Sequence, residues 1–252
     1  MYAAERQNPI HTHANAYVEV TLKGQFILCR GQKKQTCLPW TINYHPPGEL
    51  HSSHYVPGSG TRIMIIEIDG QELRWIRDFC SLTEDSLVFD GGRQSWPAAR
   101  VYKELLHLDE VSPIILEGLV LELLGEILGG RPFKSVEKVP VWLVRAEELI
   151  QARFLEPLSL SEIAKEVGIH PVNLAHEYRR RFHRTIGSHM RQLRIEKASR
   201  QIVQTDLPIV EIALASGFSD QSSFTVAFKN VTGITPSAYR NISRPANRSK
   251  DY

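Results

Sequence analysis

The feature that most constrains this chain is an internal repeat. Glu162-Ile163-Ala164 followed by Gly168-Ile169 recurs as Glu211-Ile212-Ala213 followed by Gly217-Phe218, 49 residues further on. Leu174 and Tyr178-Arg179 recur as Phe224 and Phe228-Lys229, 50 residues further on. A period of this length marks a repeated supersecondary unit. Each copy reads as a short helix, a glycine turn, and a second helix with apolar residues four apart. Ala164 and Ala213 are small, as closely crossing helices require. Gly168 and Gly217 can take the positive φ of a tight inter-helix turn. Ser159-Leu160-Ser161-Glu162 has capping-box spacing. Asp206 and Pro208 are read as the start of the equivalent helix, with the proline in its first turn. His170-Pro171 opens the second helix of the first copy, and Ser219 is read as the cap of its counterpart. Each copy is a helix-turn-helix candidate, whose second helix can enter a major groove. The competing reading of one copy alone is a helical hairpin that only packs.

The charge distribution favours the first reading. The whole chain carries a net charge of only +2 over 252 residues. Residues 141–240 hold 13 Lys+Arg against 10 Asp+Glu, whereas residues 1–140 hold 14 against 17. The last 12 residues, 241–252, add a net +2. Arg179, Arg180, Arg181, Arg184, Arg191, Arg194, Lys197 and Arg200 are opposed within their stretch only by Glu196. Near-neutrality of the whole chain is therefore a cancellation, and the basic charge lies in the repeat region.

The repeat region resembles the DNA-binding domain of the AraC/XylS family of bacterial transcription regulators. The resemblance is carried most specifically by Ile209 to Arg240, IVEIALASGFSDQSSFTVAFKNVTGITPSAYR, and extends over residues 141–240. It implies two helix-turn-helix subdomains joined by a long helix, here about Ile186 to Gln204. It also implies two recognition helices in successive major-groove segments on one face of the DNA. The chain departs from the family pattern at His183, where glycine is usual, and at Ile186, near which proline is usual. The first recognition helix is expected from about His170 to Arg181, with Leu174 and Tyr178 on its core face. By resemblance Val172, Ala175 and His176 read bases. The two apolar ones can contact only groups such as a thymine methyl, and His176 can hydrogen-bond a base edge or a phosphate. The second is expected from about Asp220 to Asn230, with Phe224 and Phe228 inward and Gln221, Ser222, Thr225 and Val226 outward. Gln221 is the strongest candidate for base readout, because glutamine can pair with adenine N6 and N7 in a bidentate way. Arg179, Arg180 and Lys229 are read as phosphate contacts, which position without specifying.

Residues 1–130 read differently. Val18, Val20 and Leu22 alternate with Glu19 and Thr21, Lys23-Gly24 is read as a turn, and Phe26-Ile27-Leu28 as the returning strand. Arg62 to Ile68 is a further strand. After Pro97, Val101, Leu105 and Leu108 fall at helical spacing. Ile115, Leu119, Leu123 and Ile127 form a stripe suited either to dimerisation or to packing on the chain's own barrel. Gly129-Gly130 ends that helix. Residues 131–140 read as a linker and 241–252 as a mobile tail. The fold class expected is α+β in two domains.

His11-x-His13, Glu19 and Gly24 resemble the first cupin motif, and Pro46-x-Gly48-x-x-His51 the second. The resemblance implies a cupin-like β-barrel for residues 1–130, serving effector binding and dimerisation. It places metal ligands on His11, His13, Glu19 and His51, a donor set that suits Zn, Fe, Mn, Ni or Cu. On a continuous strand the three odd-numbered residues would share one face. AraC-like sensor domains also keep remnants of such histidines around a pocket that holds no metal. The candidate lining for a small polar effector, a sugar among them, is His11, His13, Trp40, Tyr44, His51 and Tyr55, with His45 and His54 beside them.

Three cysteines, Cys29, Cys37 and Cys80, without CxxC spacing point to reduced thiols in a cytoplasmic protein. The N-terminus has no apolar core of a signal peptide, and the run Ile114 to Leu128 is broken by three glutamates and too short for a bilayer. The leading expectation is thus a ligand-responsive, DNA-binding transcription regulator that is not an enzyme and is homodimeric. Double-stranded DNA is its partner, and RNA polymerase a further candidate. The alternatives are a metal-dependent cupin enzyme fused to a DNA-binding domain, and a DNA-binding protein whose N-terminal half only dimerises.

Overall fold

A computed structural model of the chain describes residues 7–79, 85–128 and 139–243. Most of the expected linker (131–138), most of the tail (244–252), Cys80 and Gly129-Gly130 lie outside the described residues. The chain divides into two compact bodies. The first comprises Met1–Arg131 with Ser237–Tyr252, and the second Pro132–Pro236.

The first body contains β1 (Gln7–His11), β2 (Ala16–Lys23), β3 (Phe26–Arg30), β4 (Lys33–Cys37), β5 (Thr41–His45), β6 (His51–Tyr55), β7 (Arg62–Ile68), α1 (Gly70–Phe79), β8 (Leu87–Asp90), α2 (Ser95–Leu105) and α3 (Ser112–Leu128). The strands form two antiparallel four-stranded sheets, ordered β1-β6-β3-β4 and β7-β2-β5-β8. This arrangement leaves the expected barrel unconfirmed: among the described residues no hydrogen-bonded ladder closes the sheets onto each other. It corrects the reading of Phe26–Leu28 as the strand returning along β2. β2 pairs with β5 and β7, while β3 pairs with β4 and β6. Lys23-Gly24 is therefore a crossing between sheets rather than a hairpin turn. Gly24 holds φ +71°, and a Cβ there would lie 2.7 Å from the Ser59 carbonyl and from Thr61 Cα. Only glycine fits so close a backbone approach.

Seven of the eight residues of β2 are buried, so the strand is covered on both faces. Val18, Val20 and Leu22 form an apolar face, as their alternation predicts. Tyr17, Glu19 and Thr21 on the opposite face are also buried, and so are Thr41, Asn43 and His45 on β5. Cross-links show that this polar face looks toward the other sheet. Tyr17 Oη lies 2.9 Å from His51 Nε2, and Asn43 Nδ2 lies 3.4 Å from Cys37 Sγ. Polar residues at alternate positions of a strand usually signal a solvated face. Here they signal a polar interior.

In α3, Leu119, Leu123 and Ile127 are buried, while Ile115 is exposed. Most of the stripe considered for dimerisation is thus consumed by packing within the body. Residues 237–243 also group with this body: Tyr239 stacks on Trp40 at 4.7 Å, and its hydroxyl lies 2.6 Å from Ser95 Oγ.

The second body is helical. It contains α4 (Val141–Arg153), α5 (Leu160–Glu166), α6 (Pro171–Phe182), α7 (Ile186–Gln204), α8 (Ile209–Ala215) and α9 (Gln221–Thr232), after which α10 (Pro236–Ser243) begins. The two repeats are built alike. Ile169 N donates to Ala164 O at 2.9 Å, and Phe218 N to Ala213 O at 3.1 Å, each closing the turn at a positive-φ glycine, Gly168 or Gly217. Ser159 and Glu162 form the reciprocal capping box. Pro208 stands at the N-cap of α8 itself rather than in its first turn. Leu174 and Tyr178 in α6, and Phe224 and Phe228 in α9, have no exposed surface. Each such side chain stabilises its repeat by about 2–3 kcal/mol through burial.

The equivalence extends to the end of each second helix. Gly233 caps α9 at φ +81°, and His183 caps α6 at φ +52°. A non-glycine residue in the left-handed region costs about 1 kcal/mol. His183→Gly is expected to raise stability by about 0.5–1 kcal/mol, read as a higher urea midpoint at unchanged m-value. An unchanged or lower midpoint would show that the imidazole makes compensating contacts.

Candidate nucleic-acid interface and polar interior

The N-terminal turns of α6 and α9 are prepared by different caps. His170 Nδ1 accepts from Val172 N at 3.3 Å, with Pro171 supplying the first helical φ. On α9 the cap is Asp220, whose Oδ1 accepts from Ser223 N at 2.7 Å. Ser219, the residue expected there, instead donates its hydroxyl to Asp220 Oδ2. A carboxylate favours the positive end of the helix dipole, which is why Asp220 takes the position.

The core faces fix which side chains face out. With Leu174 and Tyr178 buried, Val172 (66% exposed), His176, Arg179 and Arg180 are exposed and Ala175 is half-buried. On α9, Gln221, Ser222, Val226 (61% exposed) and Lys229 are exposed and Thr225 is half-buried. At the 50-residue offset of the core pairs, Arg179 matches Lys229, His176 matches Val226 and Val172 matches Ser222, so corresponding outward positions of the two helices carry different side chains. Thr225 donates its hydroxyl to Gln221 O at 2.8 Å, so its methyl and oxygen lone pairs remain for recognition. Arg180 forms a bidentate pair with Glu177, at 2.9 and 2.7 Å. Among the described residues Arg179 and Lys229 carry no such forked carboxylate.

Tyr178 sets the orientation of α6. Its hydroxyl donates to Glu147 Oε2 at 2.6 Å and contacts His189 Nδ1, joining α4, α6 and α7. Burial pushes the Glu147 carboxyl up, but hydrogen bonds from His189 and Tyr178 outweigh it and hold the pKa at about 2. A depressed carboxylate contributes stability above its unfolded pKa of about 4.5 and loses it as pH falls toward 2. Urea midpoints of wild type and Glu147→Gln are therefore expected to converge between pH 4.5 and 2. Parallel curves across that window would contradict the linkage.

In the first body the structure brings His11, His13 and His51 together, with ligand nitrogens all within 4.8 Å of one another. The loop between β1 and β2 accomplishes this, so the three expected ligands of the N-terminal stretch do not lie on one continuous strand. Glu19 is not in that group. It is buried on β2, accepts from Asn43 Nδ2 at 3.0 Å and lies 4.0 Å from His45 Nε2. A second group, not anticipated from the sequence, joins His45, Glu49 and His51. Burial works against the charge on His45, but the Glu19 and Glu49 carboxylates raise its pKa overall. Burial, with the charges of His45 and His11, lowers that of His51. Arg30 pairs with Glu49 at 3.1 Å.

Tautomers follow from the fixed acceptors. His51 Nδ1 donates to Glu49 O at 3.1 Å, and His11 Nδ1 donates to Pro9 O at 2.7 Å. Both rings therefore turn an Nε2 lone pair away from the backbone. That of His51 faces the Tyr17 hydroxyl. Nearby, Thr21 Oγ1, Asn43 Oδ1 and His45 Nε2 are buried without a hydrogen-bond partner.

The other expected lining residues scatter. Tyr44 lies on the apolar face of β5, Trp40 occupies the turn before β5 at φ +68°, and Tyr55 packs on Phe26 at 5.6 Å. A separate open groove of about 700 Å³ runs along β7, α1 and α3, lined by Ile66, Ile76, Leu121 and Leu124 with Glu67 and Glu72.

Two helix-turn-helix repeats joined by a long helix make the second body a double helix-turn-helix domain, a class that binds duplex DNA. Residues 163–242 match the family described as a helix-turn-helix domain. The chain is 32% identical over 102 residues to the HTH-type transcriptional regulator ArgR of Pseudomonas aeruginosa, covering 40% of this chain and 31% of that protein. It is 26% identical over 162 residues to a Streptomyces antibioticus protein named as an AraC-like transcription regulator, covering 60% and 52%. A solved transcriptional regulator with an AraC-type DNA-binding domain, from Chromobacterium violaceum, is 31% identical, with 41% of this chain and 94% of that chain covered and a TM-score of 0.39. The C-terminal segment is an AraC-type helix-turn-helix domain. The chain spans about a third and about half of the length of these two curated relatives. Among the described residues no helix is long and apolar enough to cross a membrane.

Proposed function

We propose that the chain is a sequence-specific transcription regulator of the AraC family that reads DNA through α6 and α9 and responds to a small effector held in the first body. The observation that carries the DNA reading is the repeated display of Val172, His176 and Arg179 on one helix and of Gln221, Val226 and Lys229 on the other. Each set stands opposite a fully buried core pair. Gln221, Ser222, Thr225, Val226, Val172, Ala175 and His176 face base edges. Arg179, Arg180 and Lys229 face phosphates, with Arg180 first having to share or release Glu177. The expected salt dependence of binding follows the number of phosphates neutralised. Binding to random and selected duplexes with equal affinity would refute sequence reading.

The effector site is the polar interior at His11, His13, Tyr17, His45, Glu49 and His51. Buried polar atoms without partners are rare in folded proteins and call for a ligand, ion or water to complete them. A transition-metal ion fits the donors there. The Nδ1 atoms of His11 and His51 are already fixed on backbone carbonyls, the arrangement that aims Nε2 at a metal. Imidazole nitrogens about 2.1 Å from a tetrahedral ion lie about 3.4 Å apart, so small side-chain movements bring the three rings to the ion. Tyr17 would surrender its hydrogen bond to His51, and Glu19 would remain outside the ligand set. Dialysed protein should retain close to one equivalent of Zn, Fe, Mn, Ni or Cu by elemental mass spectrometry, reduced at least ten-fold in His51→Ala. Less than about a tenth of an equivalent in wild type would remove the metal and leave an organic effector. The enzyme reading requires substrate turnover at the same three histidines, and a loaded protein that turns nothing over is a sensor.

A further inference from the structure

Arg194 belongs to the basic stretch Arg179 to Arg200, yet the structure turns its guanidinium inward. On α7 it donates to three backbone carbonyls: Nε to Phe154 O at 2.6 Å, Nη2 to Glu156 O at 2.7 Å, and Nη1 to Gly217 O at 2.9 Å. Phe154 caps the C-terminus of α4, where unpaired carbonyls carry partial negative charge and favour a cation. Glu156 follows in the segment leading to α5. Gly217 is the turn of the second repeat. One side chain on the connecting helix thus grips the lead-in of the first repeat and the turn of the second.

The packing is close on the side of Gly217. A Cβ on Gly217 would lie 2.8 Å from the Leu155 carbonyl and 3.2–3.3 Å from the Arg194 guanidinium. Burial lowers the Arg194 pKa, with Arg191 adding to it, but an arginine stays charged. Three acceptors in three directions match the fixed fork of a guanidinium. A lysine ammonium on its flexible stem is not pre-organised to reach all three. Without the grip, the repeats are held mainly by α7 and by the close contact at Gly217.

We propose that Arg194 is a positioning residue that fixes the separation of α6 and α9, and so sets which spacing of two base-reading blocks the protein accepts. The inference rests on α6 and α9 being the recognition helices, and the test keeps the two apart. Genetically encoded spin labels at the exposed Lys165 and Asn230 of the full chain report the distance between repeats without DNA. In Arg194→Met the distance distribution should at least double in width, with Arg194→Lys intermediate and helical circular dichroism unchanged. On a duplex selected by wild type from a random pool, Arg194→Met should lose at least ten-fold in affinity. One inserted base pair, strongly unfavourable for wild type, should cost the variant several-fold less. An unchanged distance distribution overturns the proposal, as does affinity lost through a shallower salt slope, the mark of a phosphate contact. If Arg194→Met does not fold, Arg194→Lys carries the same readouts. If wild type selects no duplex, the recognition-helix reading fails, while the label distances still decide whether Arg194 fixes the separation.

Discussion

Gly217→Ala should destabilise the helix-turn-helix domain by about 3 kcal/mol, and Gly168→Ala by only about 1 kcal/mol. The two glycines are counterparts in the repeat and share the same backbone demand, φ +80° and φ +72°. Alanine pays for the left-handed conformation at both, about 1 kcal/mol. The difference is space. Nothing lies within 4 Å of a Cβ on Gly168, whereas a Cβ on Gly217 meets the Leu155 carbonyl at 2.8 Å. Backbone cannot swing aside as a flexible side chain can, so the second repeat must shift against the first. Urea denaturation of both variants checks the result, and DNA binding by Gly217→Ala should fall with it. Equal losses in the two variants would mean that the contact between the repeats is not as close as described.

Gln221→Ala should weaken binding to the specific site by about 1–3 kcal/mol and relax discrimination at one base pair. Gln221 is the first residue of α9, exposed, with the Asp220 cap and the buried Phe224 holding the turn beneath it. The side chain supports none of the core, so stability should stay within about 0.5 kcal/mol of wild type. Competition assays with every single-base variant of the selected site separate the outcomes. A loss shared equally by specific and random duplexes would place Gln221 among the phosphate contacts and not the base readers.

The repeat region was legible because its signals are local. The two glycine turns and the paired core residues follow from periodicity and turn chemistry, which act within a few residues, while the ends of α7 at Ile186 and Gln204 came from the family resemblance. The exchange of Ser219 for Asp220 at the α9 cap is a one-residue competition that helix electrostatics decides. The inward turn of Arg194 was not legible, because its three acceptors lie 23 to 40 residues away in sequence and are backbone atoms. In the first body, β7 was readable from its β-branched run, but strand pairing was not. β2 and β3 adjoin in sequence but part at Gly24, where the backbone packs closely against Ser59 and Thr61, and they pair with strands more distant in the chain. The resemblance to the first cupin motif placed Glu19 with His11 and His13 as a metal ligand. The loop between β1 and β2 breaks that motif's spacing, and Asn43 claims the carboxylate instead.

The central claim is that two recognition helices, set at a fixed separation, read one face of duplex DNA. Selection of bound sequences from a random duplex pool, by the full chain at stated salt, tests it most directly. The account predicts two short conserved blocks whose centres lie about one helical turn, roughly 10 base pairs, apart at constant spacing, with Gln221→Ala erasing a position in only one of them. A single block, or two blocks at freely varying spacing, would contradict it.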